Sequence, residues 1–277
     1  MTDCKKWKTA LSLGNFTTEV FDKLKSCGIE YIEVSPHRDI IDTVDFDMIQ
    51  RESERTGVKV WSFHLPFGGK KYDISHIDEK IRAFTIEADK HYIKTAHSLG
   101  AKVAVIHPSG EPIEQSKRQL YMECCKKSLK ELADYAESLG IVLAVEDLPR
   151  TCLGRDTKEM IELVECDSRL RVCFDVNHLL CDSHEQFICE LGDKIVTLHI
   201  SDYDFVDEMH AMPGCALIDW HKLITLLEKA DYNGPFLYEV ALAGRDLRGF
   251  VSPKTSFQDV VENHYNIKTF TGASKKL

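Results

Sequence analysis

The sequence predicts a single (β/α)₈ barrel that spans residues 1–277 as one domain. A short β-rich run, a loop and a longer amphipathic helix recur eight times along the chain. Glycines fall where the helices give way to strands, and polar residues end almost every strand. The alternative is an open doubly wound sheet. That fold normally carries its ligand near one crevice, so the ring of polar strand ends favours the closed barrel.

The strands are assigned to short runs of β-branched and aliphatic residues, and the helices to the amphipathic segments between them. The predicted strands are Thr9–Leu13, Tyr31–Val34, Val58–Phe63, Val103–Ile106, Val142–Val145, Val172–Phe174, Ile195–Ile200 and Phe236–Val240. The predicted helices are Thr17–Cys27, Phe46–Thr56, Ile77–Leu99, Ser116–Leu139, Lys158–Cys166, Glu185–Leu191, Trp220–Lys229 and Ser256–Tyr265. The glycines expected to end helices in the left-handed conformation are Gly28, Gly57, Gly100, Gly140 and Gly234.

Composition predicts a globular cytoplasmic protein without a membrane partner. Hydrophobic residues make up 43% of the chain and charged residues 29%, and no apolar run approaches the roughly 20 residues of a membrane span. The polar, basic start of the chain has no hydrophobic segment behind it, so no secretory signal is assigned. The ten cysteines contain no C-x₂-C pair, which favours reduced thiols over disulfides or a zinc site. A net charge of −10 argues against nucleic acid as a partner; a homo-oligomer remains open.

The alternation of side chains along strands predicts a ring of ligands at one end of the barrel. Every second residue of a strand points to the same face. In each of the last six predicted strands, the residues on one face are apolar or small until the last one, which is polar. Enzymes of this fold carry their active sites at the C-terminal ends of the strands. The polar residues placed around this mouth are His64, His107, Glu146, Asp175, His199 and Glu239.

Three carboxylates that converge on one buried cavity require a compensating cation. Each would otherwise repel the others and resist ionisation in a medium of low dielectric constant. A divalent metal ion bound by Glu146, Asp175, His199 and Glu239 would relieve this cost. The oxygen-rich donor set suits Mn²⁺, Mg²⁺, Co²⁺ or Zn²⁺ and does not choose among them. A further metal near His64 and His107 is also considered.

At these residues the chain resembles the xylose isomerase-like barrel superfamily, and its sugar epimerase and isomerase branch in particular. The resemblance runs from about Leu11 to the last helix. The motifs that carry it are VEDLPR around Glu146, CFDVNH ending at His178, LHISDYD around His199, HAMPG from His210 and LYEV at Glu239. It implies that the four predicted ligands bind one divalent metal and that the two glutamates exchange protons with substrate. It also implies that His64, His107, His178 and His210 contact the substrate.

The chemistry expected of this site is the interconversion of sugars or sugar phosphates through an enediolate. A metal that bridges the two oxygens of the enediolate stabilises it, while one glutamate removes a proton and the second returns one on the other face. Epimerisation at C3 and aldose–ketose isomerisation share this intermediate, so the motifs do not separate them. Gly244 and Arg245 follow the last strand, where barrels often bind phosphate.

Three other functions compete with sugar chemistry. The same superfamily includes endonuclease IV, a three-zinc enzyme of abasic-site DNA repair, and it uses histidines at the positions of His64 and His107. Glu208 and His210 resemble its Asp-x-His zinc pair. The chain lacks basic, aromatic-rich stretches for DNA, which favours the sugar enzyme. The remaining alternatives are a keto-cyclitol dehydratase with the same metal site and a non-catalytic sugar-binding barrel.

Two features are interpreted as mainly structural, and a third, Glu33, is interpreted equally as structural or as part of the pocket. Glu33, at the end of the second strand, either reaches the pocket rim or stabilises that strand. Trp61 has the opposite parity to His64 and is expected to pack between the barrel and the helices. The segment Gly68–Lys71 is interpreted as a solvated loop, with a mobile lid over the site as its alternative.

Overall fold

The computed structural model describes residues 7–69 and 71–272, which form a closed (β/α)₈ barrel. The strands are β1 Thr9–Leu13, β2 Tyr31–Val34, β3 Lys59–His64, β4 Val103–Ile106, β5 Val142–Glu146, β6 Arg171–Asp175, β7 Ile195–His199 and β8 Phe236–Tyr238. The helices are α1 Thr18–Cys27, α2 Phe46–Thr56, α3 Glu79–Ser98, α4 Arg118–Ser138, α5 Thr157–Val164, α6 His184–Leu191, α7 Trp220–Lys229 and α8 Phe257–Asn266. The predicted elements are confirmed, with ends that differ by at most two residues.

The barrel closes where β7 and β8 meet. The eight strands pair in parallel in the order β7-β6-β5-β4-β3-β2-β1-β8, so β7 and β8 are the two ends of this order. Between the two ends of this order, the Ile200 amide donates to the Leu237 carbonyl at 2.8 Å, and the Glu239 amide donates to the Ile200 carbonyl at 3.0 Å. These bonds leave no open edge on the sheet, so the closed barrel is confirmed over the open doubly wound alternative.

Four of the eight helices given above end at glycines that the sequence singles out. Gly28, Gly57, Gly100 and Gly140 have φ angles of 80°, 81°, 75° and 69°, as left-handed helix ends require. The prediction for Gly234 is wrong, because its φ is not positive and Asp231 takes the left-handed position after α7, with φ 54°. Gly234 is instead required by close packing, since a Cβ there would lie 2.6 Å from the Val196 carbonyl oxygen.

Two register shifts change which residues face the barrel interior. The pairing of β2 with β3 skips Trp61, and the pairing of β6 with β7 skips Val196. Both side chains pack against the small inner cluster formed by Val103, Val105, Ala144 and Cys173. The Trp61 indole also donates to the Thr197 hydroxyl at 3.2 Å. The prediction that Trp61 packs between barrel and helices is therefore wrong, because a bulge breaks the strict alternation on which it rests.

A two-stranded hairpin follows β8 and was not predicted. Its strands, β9 Arg245–Leu247 and β10 Phe250–Ser252, pair antiparallel. The guanidinium of Arg248 binds the carboxylate of Asp204, which is fully buried, and ties the hairpin to the loop after β7. A Cβ on Gly244 would lie 2.7 Å from the Lys254 amide nitrogen, so the close approach of two chain segments explains this glycine.

No helix among the described residues has the length and apolar character needed to cross a membrane. All nine cysteines in the described part of the chain are free, in agreement with the prediction of reduced thiols for these positions. Six of them are exposed or half-buried, whereas Cys125, Cys152 and Cys173 are buried among core side chains.

Candidate active site

A cavity of about 300 Å³ opens at the C-terminal ends of the strands. Its volume lies at the lower end of the range for small-molecule sites. Six predicted site residues line it: His64, His107, Glu146, His178, His210 and Glu239. The side chains divide by depth, since Glu146 is 2% exposed whereas Glu239 is 26% exposed. The cavity therefore has a buried floor and a more open rim.

The four predicted metal ligands converge. Glu146, Asp175, His199 and Glu239 each offer one ligand atom, and these atoms all lie within 4.8 Å of one another; we call them the four-donor set. His199 lies at the centre, with Nδ1 2.9 Å from Glu146 Oε1, 3.9 Å from Asp175 Oδ2 and 3.6 Å from Glu239 Oε2. Each carboxylate comes from the end of a different strand, so their convergence depends on closure of the barrel.

The donor set fits a divalent cation. Asp175 Oδ2 is buried 3.4 Å from His178 Nε2 and 3.9 Å from His199 Nδ1, and it has no hydrogen-bond partner among residues 7–69 and 71–272. Burial raises the pKa of the Asp175 and Glu239 carboxyl groups, to about 7 for Glu239. Unpaired buried oxygens of this kind are costly, and a divalent cation would supply the missing partner. Cys173 lies beside the set, but burial raises the pKa of its thiol well above the usual value, so it remains protonated.

The carboxyl pKa values of Glu146 and Glu239 are shifted in opposite directions. Burial pushes both carboxyl pKa values upward, but the charge of His199 and the hydrogen bonds from His107 and His199 outweigh it at Glu146, whose pKa is held well below its usual range. At Glu239 burial prevails over His199 and His210, and the pKa rises to about 7. Environments that drive two carboxyl groups apart in this way are typical of acid and base pairs.

Glu33 lies behind His199 and was not assigned to the site from sequence. Its carboxylate is fully buried and accepts from the Ser12 hydroxyl at 2.9 Å and the Ser62 hydroxyl at 2.8 Å. The Nε2 atom of His199 lies 3.1 Å from Glu33 Oε1. Nδ1 of the same ring faces the four-donor set, so Glu33 fixes both the tautomer and the orientation of the imidazole. The signal in the sequence is an acidic residue at an inward position of β2.

His64 and His107 form a second donor group with Glu146. Their Nε2 atoms lie 3.0 Å and 3.1 Å from Glu146 Oε2, which is the oxygen turned away from His199. Burial lowers the pKa of His107 to about 4, which keeps its imidazole neutral and able to act as a ligand. The ring of Phe67 stacks on His107 at 3.8 Å between centroids and covers this group from the rim.

A third donor group consists of His178, Glu208 and His210. His178 Nε2 lies 3.1 Å from Glu208 Oε2 and 3.4 Å from Asp175 Oδ2, so the group adjoins the four-donor set. The hydrogen bond to His178 lowers the pKa of Glu208 to about 2. His210 has a φ of 49° and is held at the rim by the Ala241 amide, which donates to its carbonyl at 2.8 Å.

The loop that carries Glu208 and His210 is organised by one buried carboxylate. Asp202 accepts from the amides of Gly214 at 2.8 Å, Ala216 at 3.1 Å and Ile218 at 3.0 Å. Gly214 has a φ of 90°, whereas Ala216 has no positive φ. The turn therefore needs glycine at position 214 but not at position 216.

The segment Gly68–Lys71 contributes to the rim of the cavity through Gly68 and Gly69, while Lys70 lies outside the described residues. The interpretation as a solvated loop is therefore incomplete, because its first two residues line the site. Arg245, considered above for phosphate, does not line the cavity.

Comparison with sequences places most of the chain in one family. The profile described as "Xylose isomerase-like TIM barrel" matches residues 21–260. An uncharacterized protein of Methanocaldococcus jannaschii is 24% identical over 72% of this chain and 69% of its own length. A probable endonuclease 4 of Mycoplasma pneumoniae is 27% identical over 53% of this chain and 50% of that protein. A fructoselysine 3-epimerase of Shigella flexneri is 24% identical over 60% and 62%.

Comparison with solved structures finds the same fold. A D-tagatose 3-epimerase-like protein superimposes with a TM-score of 0.79 at 20% identity, covering 95% of this chain and 96% of that one. A D-psicose 3-epimerase superimposes with a TM-score of 0.77 at 18% identity, covering 95% and 97%. At these identities the likeness establishes the fold.

Proposed function

Because the chain belongs to the xylose isomerase-like TIM barrel family, we propose that it is a divalent-metal-dependent sugar or sugar-phosphate isomerase or epimerase. The observation that carries the proposal is the convergence of the four-donor set, two of whose members, Glu146 and Glu239, line a cavity of sugar-binding size. The names of the fructoselysine 3-epimerase relative and of the structural neighbours point to the same chemistry.

Glu146, Asp175, His199 and Glu239 would hold a divalent ion, which would supply Lewis-acid stabilisation of negative charge that develops on the substrate. Glu146, ionised and buried, is suited to remove a proton from the carbon next to the carbonyl. Glu239 carries a pKa of about 7 and comes from the end of a different strand, and it is suited to return a proton. The roles exchange when the reaction runs backwards.

Histidines that line the cavity would orient the sugar. His178 is held by the Asp147 carbonyl, which lies 2.8 Å from its Nδ1, so its Nε2 is directed toward the cavity. His64 is held in the same way by the Leu65 carbonyl at 2.9 Å. Each ring is thereby fixed with Nε2 beside a carboxylate of the cavity, Glu208 for His178 and Glu146 for His64, so that a substrate hydroxyl bound there would meet both groups.

The proposed function is tested by running ketose and ketose-phosphate candidates with the purified enzyme in heavy water. We expect solvent deuterium at the inverted or isomerised carbon, because the proton taken on one face differs from the proton returned on the other. The measurement is proton NMR of recovered substrate and product. Turnover that leaves this carbon free of deuterium would contradict two-base chemistry and indicate hydride transfer.

A second candidate is a metal-dependent phosphodiesterase that acts on abasic DNA. The second and third donor groups favour it, because together with the four-donor set they could hold three metal ions in one cavity. The Mycoplasma relative named as an endonuclease 4 supports it as well. Cleavage of an abasic-site duplex by the metal-loaded protein, with no exchange into any ketose, would replace the sugar reaction with this one.

Glu33→Gln is expected to weaken the affinity for the principal metal roughly 10–100-fold, the usual cost of removing a carboxylate that orients a metal-binding histidine. The amide keeps the size of the side chain but removes the charge behind His199 Nε2. Competition against a chromogenic chelator measures the affinity without any enzymatic assay.

The matched control for Glu33→Gln is Glu30→Gln, which removes an exposed carboxylate three residues earlier that pairs with Lys8. Its metal affinity should equal that of the wild type. Circular dichroism confirms that both variants are folded. A folded Glu33→Gln protein with wild-type affinity would show that Glu33 only stabilises the strand.

A further inference from the structure

Arg38 lies at the rim of the cavity, beside the turn formed by Gly68 and Gly69. A Cβ on Gly69 would lie 3.1 Å from Arg38 Nε, and one on Gly68 would lie 3.3 Å from Nη1. Both glycines have positive φ angles, of 72° and 63°. The turn therefore has a backbone that favours glycine, and the missing side chains leave room for the guanidinium to lie across it at the mouth.

The guanidinium of Arg38 retains unused hydrogen-bonding capacity. In the described part of the chain, Nη1 donates to the Phe67 carbonyl at 3.3 Å, and Nε lies 4.0 Å from the exposed Asp39 carboxylate. Both contacts are long, and a guanidinium has five N–H donors. Most of these donors are therefore available to a ligand.

The other arginine of the rim, Arg150, is already occupied. Its guanidinium lies 2.9 Å from Glu111, 2.7 Å from Asp207 and 3.3 Å from Glu208. Three carboxylates around one cation leave it little affinity for a further anion. Among the described residues that line the cavity, Arg38 is thus the cation able to bind an anionic group.

An anion inside this cavity needs such a partner, because Glu208 and Glu239 contribute negative charge to its walls. A planar guanidinium binds carboxylate or phosphate through two parallel hydrogen bonds, and it stays charged at every physiological pH. An arginine at the rim, rather than at the floor, suits an anionic group at the end of the substrate remote from the reacting carbon.

We propose that Arg38 binds a phosphate or carboxylate group on the substrate, so that the substrate is an anionic ketose rather than a neutral sugar. This inference rests on the proposed sugar chemistry for the identity of the ligand. It assigns the anion to the Arg38 rim and not to the region after β8, where Arg245 lies outside the cavity lining.

The test compares three ligands of similar size by isothermal titration calorimetry on the metal-loaded protein: fructose, fructose 6-phosphate and fructuronate. We expect the wild type to bind one of the two anionic ketoses more tightly than fructose. Arg38→Gln should weaken binding of that anion roughly 10–100-fold, the usual contribution of hydrogen bonds to a charged group, and leave fructose unchanged. Arg38→Lys should retain part of the affinity, since lysine keeps the positive charge but cannot form the two parallel hydrogen bonds of a guanidinium. Arg51→Gln, at an exposed arginine paired with Asp45, is the matched control.

Several outcomes would overturn the inference. One is equal binding of anionic and neutral ketoses; another is an anion preference that survives Arg38→Gln; a third is no binding of either anion at millimolar concentration. An abasic duplex that depends on Arg38, while the small anions do not bind, would assign this arginine to nucleic acid. Failure of the sugar function itself looks different, because no ketose would then exchange deuterium even though Arg38-dependent binding of an anion persisted.

Discussion

Glu146→Gln and Glu239→Gln are each expected to lower kcat by about 10²–10⁴-fold or more, the range assigned to general acid–base catalysis. Glutamine keeps the shape of the side chain and one oxygen ligand, but it cannot accept or return a proton. The two glutamates differ in acidity, with the pKa of Glu146 held low by neighbouring histidines and the pKa of Glu239 raised to about 7 by burial. Loss of either should therefore block both directions of the reaction. Initial rates of ketose interconversion under saturating metal provide the measurement.

Metal content must be measured on the same samples, since weaker metal binding would also lower the rate. The control is Glu185→Gln, which removes an exposed carboxylate on α6 that pairs with Lys222. It should leave kcat unchanged. A Glu239→Gln protein that holds its metal and turns over at nearly the wild-type rate would rule out the assigned role of Glu239 in proton transfer.

Exhaustive chelation is expected to abolish turnover, and addition of Mn²⁺, Co²⁺, Mg²⁺ or Zn²⁺ should restore it. The buried oxygens of Asp175 and Glu146 would lose their cation, so the protein should also become less stable. At a free metal concentration of about 100 times Kd, the bound ion stabilises the fold by about 2.7 kcal/mol, which corresponds to a Tm increase of several degrees. Thermal unfolding before and after chelation measures this shift.

The affinity for the metal should depend on pH because a proton competes for Glu239. Burial raises the pKa of its carboxyl group to about 7, so the neutral form gains population as the pH falls below that value. A ligand must be deprotonated to bind, and the apparent affinity should therefore decrease from about pH 8 to pH 6.

Elemental analysis of the purified protein counts the metal ions: one per chain supports the sugar enzyme and three support the phosphodiesterase. Full activity in chelated protein would refute the metal site.

The alternation of side chains along strands made the four-donor set predictable from sequence. Glu146, Asp175 and Glu239 each follow an apolar residue of the same parity, and closure of the barrel brings the strand ends together. The helices were predictable for a similar reason, because amphipathic period and glycine ends are local properties of the chain. Both signals operate within a few residues and need no knowledge of distant contacts.

Tertiary structure alone decided the features that depend on distant partners. The bulges that turn Trp61 and Val196 inward arise from pairing between strands, and the residue pattern within β3 or β7 does not predict them. Glu33 became part of the site only because the barrel places it against His199, which is 166 residues away in sequence. Arg38 reaches the cavity from a loop and lies beside Gly69, which is 31 residues away in sequence. Periodicity orients a side chain relative to its own strand, whereas the position of a loop residue or a buried partner is determined by long-range contacts that the local sequence does not encode.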